Sequence, residues 1–508
     1  MNQQNAPDYQ QWIAQSPEGV RSLERGVEGV VAWARGYLRS LDDREVCGQF
    51  EWGEVLGQME DGPPVHGLGI EAIEGLIGEA DEVFIDRLVH WNSPRFFAYF
   101  PCSNSVPAIL GELISSVVNV NGMLWSTSPA CTELEVRVMD WCADLFGLDD
   151  GFRFDRSEKV GGRGGGCIQG TASEALVAAM VAARRRCTKR GADRSKVTVY
   201  TSDQAHSSVI KAAMVCGLAD DAEDRSRVRV LESDNALRMD PAELERAMRE
   251  DIEAGLVPMM VVATVGTTST GAVDPLVDIA DVIDRLGDDR PWCHVDAAWA
   301  GAASVCPEFR TMLDGAERAD SLCINPHKWL LTNFDCDLFW VRDRDALTES
   351  MSITPAYLRD PASDAGVVDY RDWHVALGRR LRALKLWMVI RCFGVDGLRA
   401  HIRSHVELAE VFERWVIQEP RVEVVGDRML GLVCFVVNGE SDLTKRLVEE
   451  VNRRGRVMIT HSMVPIGDER ESRSIARVSV GTPGVRREDI ETLIEEIGRG
   501  LDRIGGAI

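Results

Sequence analysis

The feature that most constrains the fold is a rhythm in the middle of the chain. Strand-like apolar runs recur about every 30 residues, at Val197–Thr201, Val228–Leu231, Met259–Val265 and His294–Asp296, with helical patterns between them. Alternation of this kind predicts an α/β layer with a largely parallel sheet, whose ligand sits at the carboxyl ends of the strands. Polar residues collect at those ends. Asp203-Gln204-Ala205-His206-Ser207-Ser208 follows the first run, Thr264-Val265-Gly266-Thr267-Thr268 closes the third, and Asp296-Ala297-Ala298-Trp299 closes the fourth.

Thirty-two residues beyond Asp296, on the next loop, lies Lys328, inside the apolar and aromatic stretch Ser321–Trp340. An ammonium in such surroundings must lose its proton, find a partner or be held as an imine. Alone, the segment reads more simply as a lysine snorkelling past apolar surface. Upstream, residues 161–186 run GGRGGGCIQGTASEALVAAMVAARRR. The glycines suggest a loop that approaches a ligand closely, and Thr171-Ala172-Ser173-Glu174 is a capping box that opens a helix. Free N–H groups at such a start, with hydroxyls beside them, suit a phosphate. The stretch matches neither a Walker A loop nor GxGxxG.

The flanks are less specific. Residues 1–95 carry helical patterns at Val20–Leu41 and Gly69–Leu88 without a strand-rich core, as an arm that packs on something else would. Five aromatics, Trp91, Phe96, Phe97, Tyr99 and Phe100, then line either a core or an apolar pocket, core packing being the simpler reading. Helices are expected at Ala108–Asn119 and Ala130–Phe146. Met351–Trp373 reads as a long loop of the kind that forms lids, with Tyr357 the proton source in its first half. From about Ile402 the pattern becomes helix, hairpin (Val422–Val437), helix (Leu443–Arg454), two strands (Val457–Ser462, Ser474–Val480) and a final helix (Arg487–Leu501), a small α+β unit.

A net charge of -24 argues against nucleic acid or an anionic membrane face as partner. No run approaches a membrane span, and MNQQNAPDYQQW lacks a signal pattern, so a cytoplasmic protein is expected. The 13 cysteines contain no CxxC pair and read as reduced, buried side chains. His401 and His405 have the spacing of metal ligands on one helical face but lack an HExxH glutamate. A solvated face is the expectation, and no metal.

A phosphate-type helix start, an aspartate at a strand end, a histidine in a polar turn and a poorly solvated lysine together suit pyridoxal 5'-phosphate. The chain resembles the pyridoxal-phosphate-dependent group II amino-acid decarboxylases, and within them the aromatic-L-amino-acid decarboxylases, over nearly its whole length. The matching motifs are FFAYFP (96–101), SPACTELE (128–135), CIQGTASEA (167–175), DQAHSS (203–208), HVDAAWAG (294–301), NPHKW (325–329) and DYRDW (369–373). The resemblance implies fold type I, a homodimer with active sites at the subunit interface, and division into an N-terminal helical dimerisation segment (1–95), a large cofactor domain (96–395, with a mobile loop at about 351–369) and a small C-terminal domain (396–508).

It also implies roles. Lys328 holds the cofactor as a Schiff base, Asp296 faces the pyridinium, and His206 stacks on the ring. Ala172, Ser173 and Asn325 contact the phosphate, Thr264 and Ala298 lie beside the ring, and His327 lies beside the lysine. Tyr357 is the mobile-loop proton donor to the α-carbon. Trp91, Tyr99, Phe100, Met123 and Leu124 match the substrate side-chain pocket. Gly378 matches a position where glycine accompanies indole and serine accompanies phenolic substrates, which favours L-tryptophan over DOPA, tyrosine or phenylalanine. Asn121 and Cys102 depart from the family's usual apolar residue and threonine. The expected reaction is decarboxylation to an arylethylamine. An aldehyde synthase on the same scaffold, which Tyr357 argues against, and a cofactor-free binding protein are the alternatives.

Overall fold

Ser16 accepts the Gly19 N–H through its hydroxyl and so opens α1 (Pro17–Ser40), on which α2 (Ile73–Val83) packs. The computed structural model describes residues 16–68, 72–160, 163–353, 367–466 and 470–505. Helices α3 (Val106–Val118) and α4 (Pro129–Phe146) each start just after a serine with proline in the first turn, as N-terminal signals prescribe. Then follow β1 (Gly165–Gln169), α5 (Ala172–Lys189), β2 (Val197–Ser202), α6 (Ser208–Val215), β3 (Val228–Leu231), α7 (Pro241–Glu253), β4 (Val257–Thr264), α8 (Leu276–Asp284) and β5 (Trp292–Asp296). The layer ends with β6 (Ser321–Ile324), the single-turn α9 (Pro326–Trp329), β7 (Asp337–Val341), α10 (Arg344–Met351) and the long α11 (Arg382–Gln418).

Among the described residues these strands form one sheet in the order β1-β7-β6-β5-β4-β2-β3. Strands β6, β5, β4, β2 and β3 pair in parallel, whereas β7 runs antiparallel to both its neighbours. This is the mostly parallel α/β layer that the strand rhythm predicts. Buried residues of α5 and α6 cover one face, and those of α4, α7, α8 and the first half of α11 cover the other. The helix α11 breaks at Gly394, whose φ of 62° with ψ of 178° is open almost only to glycine.

Two sequence expectations change here. Gly165–Gln169, read as a ligand-binding glycine loop, is a buried edge strand. A Cβ at Gly166 would lie 2.5 Å from Met139 Cε and 2.7 Å from Trp340 Cδ1, so that glycine serves close packing between α4 and β7 and not a ligand. Lys328, expected on a loop, sits in α9.

The outer edge of β1 is sealed by side chains. Glu135 Oε1 accepts the Ile168 N–H at 2.7 Å, Arg379 Nη2 donates to the Ile168 carbonyl at 2.8 Å, and the two side chains, both almost wholly buried, pair with each other. Glu135→Ala leaves the guanidinium and an edge amide without their acceptor. The expected cost is about 3 kcal/mol, read as a loss in chemical denaturation.

A second, antiparallel sheet follows, built from β8 (Val422–Val424), β9 (Leu432–Val437), β10 (Thr460–Ile466) and β11 (Glu471–Ser479) in the order β10-β11-β9-β8. Helices α12 (Leu443–Arg453) and α13 (Arg487–Gly505) and the second half of α11 bury its apolar face through residues such as Phe412, Leu447 and Leu493.

Candidate active site

The carboxyl ends of β4 and β5, the turn after β2, the start of α5 and the helix α9 converge on one cavity of about 200 Å³. Its lining includes Ala172, Ser173, His206, Thr264, Asp296, Ala298, Asn325, His327, Lys328 and Phe100, so ten residues singled out from the sequence meet at one place. Of the rest, Tyr357 lies outside the described residues. Trp91 and Tyr99 stack on each other at 5.6 Å and stay half exposed, away from the cavity. Met123, Leu124 and Gly378 are also elsewhere, on two segments tied together by Gly122 N–H to Arg379 O at 2.9 Å and Arg371 N–H to Met123 O at 3.0 Å. Among the described residues, therefore, Phe100 alone of the six expected substrate contacts borders the cavity.

Each wall has a local cause. Thr171 caps α5, its hydroxyl accepting the Glu174 N–H at 3.4 Å, while the Glu174 carboxylate reaches back to the Gly170 N–H at 2.9 Å. Ala172 and Ser173 at the helix start line the cavity, and the helix dipole favours an anion there. Asp296 ends β5 almost fully buried, with Oδ1 accepting the Ala298 N–H at 3.1 Å and Cys323 Sγ 3.8 Å away. His206 Nδ1 accepts the Ser208 N–H at 3.1 Å, which leaves Nε2 to carry the ring proton. Desolvation lowers its pKa, against the pull of Asp296, so the ring is neutral and free to stack.

His327 is fixed more tightly. Burial, with Lys328 assisting, pushes its pKa down to about 3, and Nδ1 accepts the Cys336 N–H at 2.9 Å. The proton therefore resides on Nε2, 3.3 Å from the Asn325 amide. The Asn325 nitrogen faces that N–H and its oxygen has no partner; turning the amide over would satisfy His327 and present the NH₂ to the cavity. Thr264 Oγ1 is likewise buried without a partner. Lys328 makes no hydrogen bond or ion pair among the described residues, and its Nζ stands 5.7 Å from the centre of the Phe100 ring.

Sequence reasoning missed the far side of this wall. Phe100 stacks on Trp299 at 4.2 Å, Trp299 on Trp329 at 5.4 Å, and Trp329 Nε1–H donates to His405 Nδ1 at 2.8 Å. The expected solvated face at His401 and His405 is thus corrected: His405 is buried beneath the wall, and among the described residues no cluster could hold a metal. The signal was present as Trp299 in the strand-end motif, but nothing in the spacing said which way it faces.

Unpartnered polar atoms on Thr264 and Asn325, an open helix start, a strand-end carboxylate and an unpaired lysine fit pyridoxal 5'-phosphate, and with this sheet they define a pyridoxal-phosphate enzyme of fold type I. Comparison with known proteins agrees. A family model for the pyridoxal-dependent decarboxylase conserved domain matches residues 67–438. Phenylacetaldehyde synthase of Arabidopsis thaliana is 39% identical over 89% of this chain and 90% of its own. Aromatic-L-amino-acid decarboxylase of Cavia porcellus is 40% identical over 85% and 88%. The crystal structure of Oryza sativa TDC with PLP and tryptamine superposes with a TM-score of 0.89 at 37% identity, covering 96% of this chain and 99% of that one. The chain belongs to the pyridoxal-dependent decarboxylase family. It is a pyridoxal-phosphate-dependent carboxy-lyase whose relatives are aromatic-amino-acid decarboxylases and aldehyde synthases.

Proposed function

We propose that the protein decarboxylates an aromatic L-amino acid, L-tryptophan in preference, to the arylethylamine and carbon dioxide. The observation that carries this reading is the Phe100–Trp299 stack beside Lys328, a flat apolar wall, in a cavity bordered by no arginine among the described residues. Such a wall suits an indole or phenyl ring. The bound cofactor supplies an electron sink for the pair released with carbon dioxide. The chain's own residues do the rest: Lys328 holds the cofactor and Asp296 keeps its ring nitrogen protonated. The α5 start, with Ser173 and Asn325, anchors the phosphate, while neutral His206 covers one ring face and Ala298 and Thr264 lie alongside. His327 is held beside Lys328, and Tyr357 delivers the proton to the α-carbon.

The protein is a homodimer in this reading. Val106, Ile109, Leu110, Leu113, Ile114, Val117 and Val118 leave an exposed apolar face on α3, and Val20, Leu23, Val30, Val31 and Leu38 do so on α1, more than a monomer's surface ordinarily shows. Met123, Leu124 and Gly378 then complete the partner's pocket, and residues 1–95 are the dimerisation arm. Free and mostly buried cysteines agree with the cytoplasm as its compartment.

A second reading, an aromatic aldehyde synthase, is supported by the similarity to phenylacetaldehyde synthase. Incubation with pyridoxal 5'-phosphate and each aromatic amino acid decides between them. Amine equal to carbon dioxide is expected, whereas aldehyde with ammonia and consumed dioxygen would establish the alternative. Tyr357→Phe, lacking the transferable proton, is expected to convert substrate at a rate within roughly tenfold of the parent while yielding aldehyde in place of amine. Unchanged amine output would remove Tyr357 from its role.

A further inference from the structure

Asp337 opens β7 with its side chain on the same sheet face as Phe339 and Val341, and it is completely buried. Neither carboxyl oxygen has a hydrogen-bond partner among the described residues. A buried carboxylate without hydrogen bonds or a paired cation is too costly to persist, so the group must shed its charge. Its surroundings reinforce this. Asp296 on β5 and Glu174 on α5 are close enough for their charges to repel it, and Lys328 on α9 is the single cation whose charge reaches it. The remaining titratable groups around it are the thiols of Cys167 on β1, Cys323 on β6 and Cys336 beside it in the chain, all buried and held protonated chiefly by that burial. Asp337 therefore lies in the protein interior across β6 from Asp296, near the cofactor cavity but not lining it.

We propose that Asp337 is carried as the uncharged acid and is a positioning residue that limits the negative charge in the cofactor site, so that cofactor affinity falls when its proton leaves. Only one of the two buried carboxyls then faces the cofactor as an anion. Asp296 can act as the pyridinium partner because its neighbour does not compete for Lys328 or repel the phosphate. Burial, with Asp296 adding, holds the Asp337 pKa well above the usual carboxylate range. The sign follows. A group whose folded pKa is raised costs nothing below its unfolded value of about 4 and destabilises the fold progressively as pH climbs from there to the folded pKa. The inference does not depend on which amino acid the enzyme takes or which product it releases.

The test compares the parent with Asp337→Asn in two measurements that need no turnover. The first is the apparent melting temperature of the apoprotein from pH 5 to pH 9, where the variant should gain on the parent as pH rises, by on the order of 3 °C at the top of the range. The second is the dissociation constant for pyridoxal 5'-phosphate, titrated into apoprotein across the same range. It should weaken about tenfold more in the parent than in the variant, the contribution of Lys328 being common to both. Should Asp337→Asn not fold, Asp337→Leu serves in its place, because an uncharged and unpartnered acid is replaceable by an apolar side chain. Parallel profiles for parent and variant in both measurements overturn the proposal, as does loss of fold in both variants, since either result means a charge held by partners.

Discussion

Lys328→Ala is expected to lower turnover of every aromatic amino acid by roughly 10⁴-fold or more, above about 5 kcal/mol of transition-state stabilisation, without unfolding the protein. The side chain stands at the one-turn helix α9 with its ammonium in the cavity and no hydrogen bond or ion pair among the described residues. Truncation removes a cation while breaking no internal pair, so the fold should survive, unlike the Glu135→Ala case. What the variant loses, on the role proposed for Lys328, is the covalent tether to the cofactor. The parent should be yellow, with a band that borohydride bleaches, and the variant should release its cofactor on dialysis and show no band fixed by reduction. A Lys328→Ala protein that turned over tryptophan at the parental rate would place the chemistry on another nitrogen.

The parts of this molecule legible from its sequence are those where local pattern and tertiary role coincide. Strands β2 to β5 are short runs of branched and apolar residues between turn signals, and they stand where the rhythm places them. Strand β1 was not legible because glycine is a poor strand former. Its glycines are dictated by the approach of Met139 and Trp340, which local pattern does not encode. Strands β6 and β7 merged into one apolar stretch around Lys328, because strands buried on both faces lose the alternation that separates strand from core. That the residues proposed to hold the cofactor meet at one cavity follows from their lying at strand ends and helix starts, which the fold brings together. The aromatic expectations fared differently. Motif order cannot say whether Trp91, Met123 or Gly378 borders the cavity, and in this chain none of them does. His405 was misread because the amphipathic pattern of α11 does not show that Trp329 lies against it and donates to its ring.

Asp296→Asn is expected to lower kcat by roughly 10³-fold, about 4 kcal/mol, at saturating cofactor, with little change in folding stability. Asparagine keeps the shape and can still accept the Ala298 N–H through its oxygen, so the strand end is undisturbed. It removes the one acidic group among the residues lining the cavity. No other acidic side chain among the described residues borders the cavity to replace that charge. His294, behind it on β5, is fully buried with its pKa pushed down to about 4, and Asp337 is the neutral acid proposed above. With a neutral amide opposite, the cofactor's ring nitrogen loses its proton and with it most of the ring's capacity to accept the electron pair left by carbon dioxide. Excess pyridoxal 5'-phosphate should restore occupancy of the variant without restoring its rate, which separates this role from one in binding alone. Asp296→Glu keeps the charge but displaces it by one methylene and should fall between the two. An asparagine variant within tenfold of the parent, with its cofactor site full, would show that the carboxylate at the end of β5 is a strand cap and not an electrostatic partner.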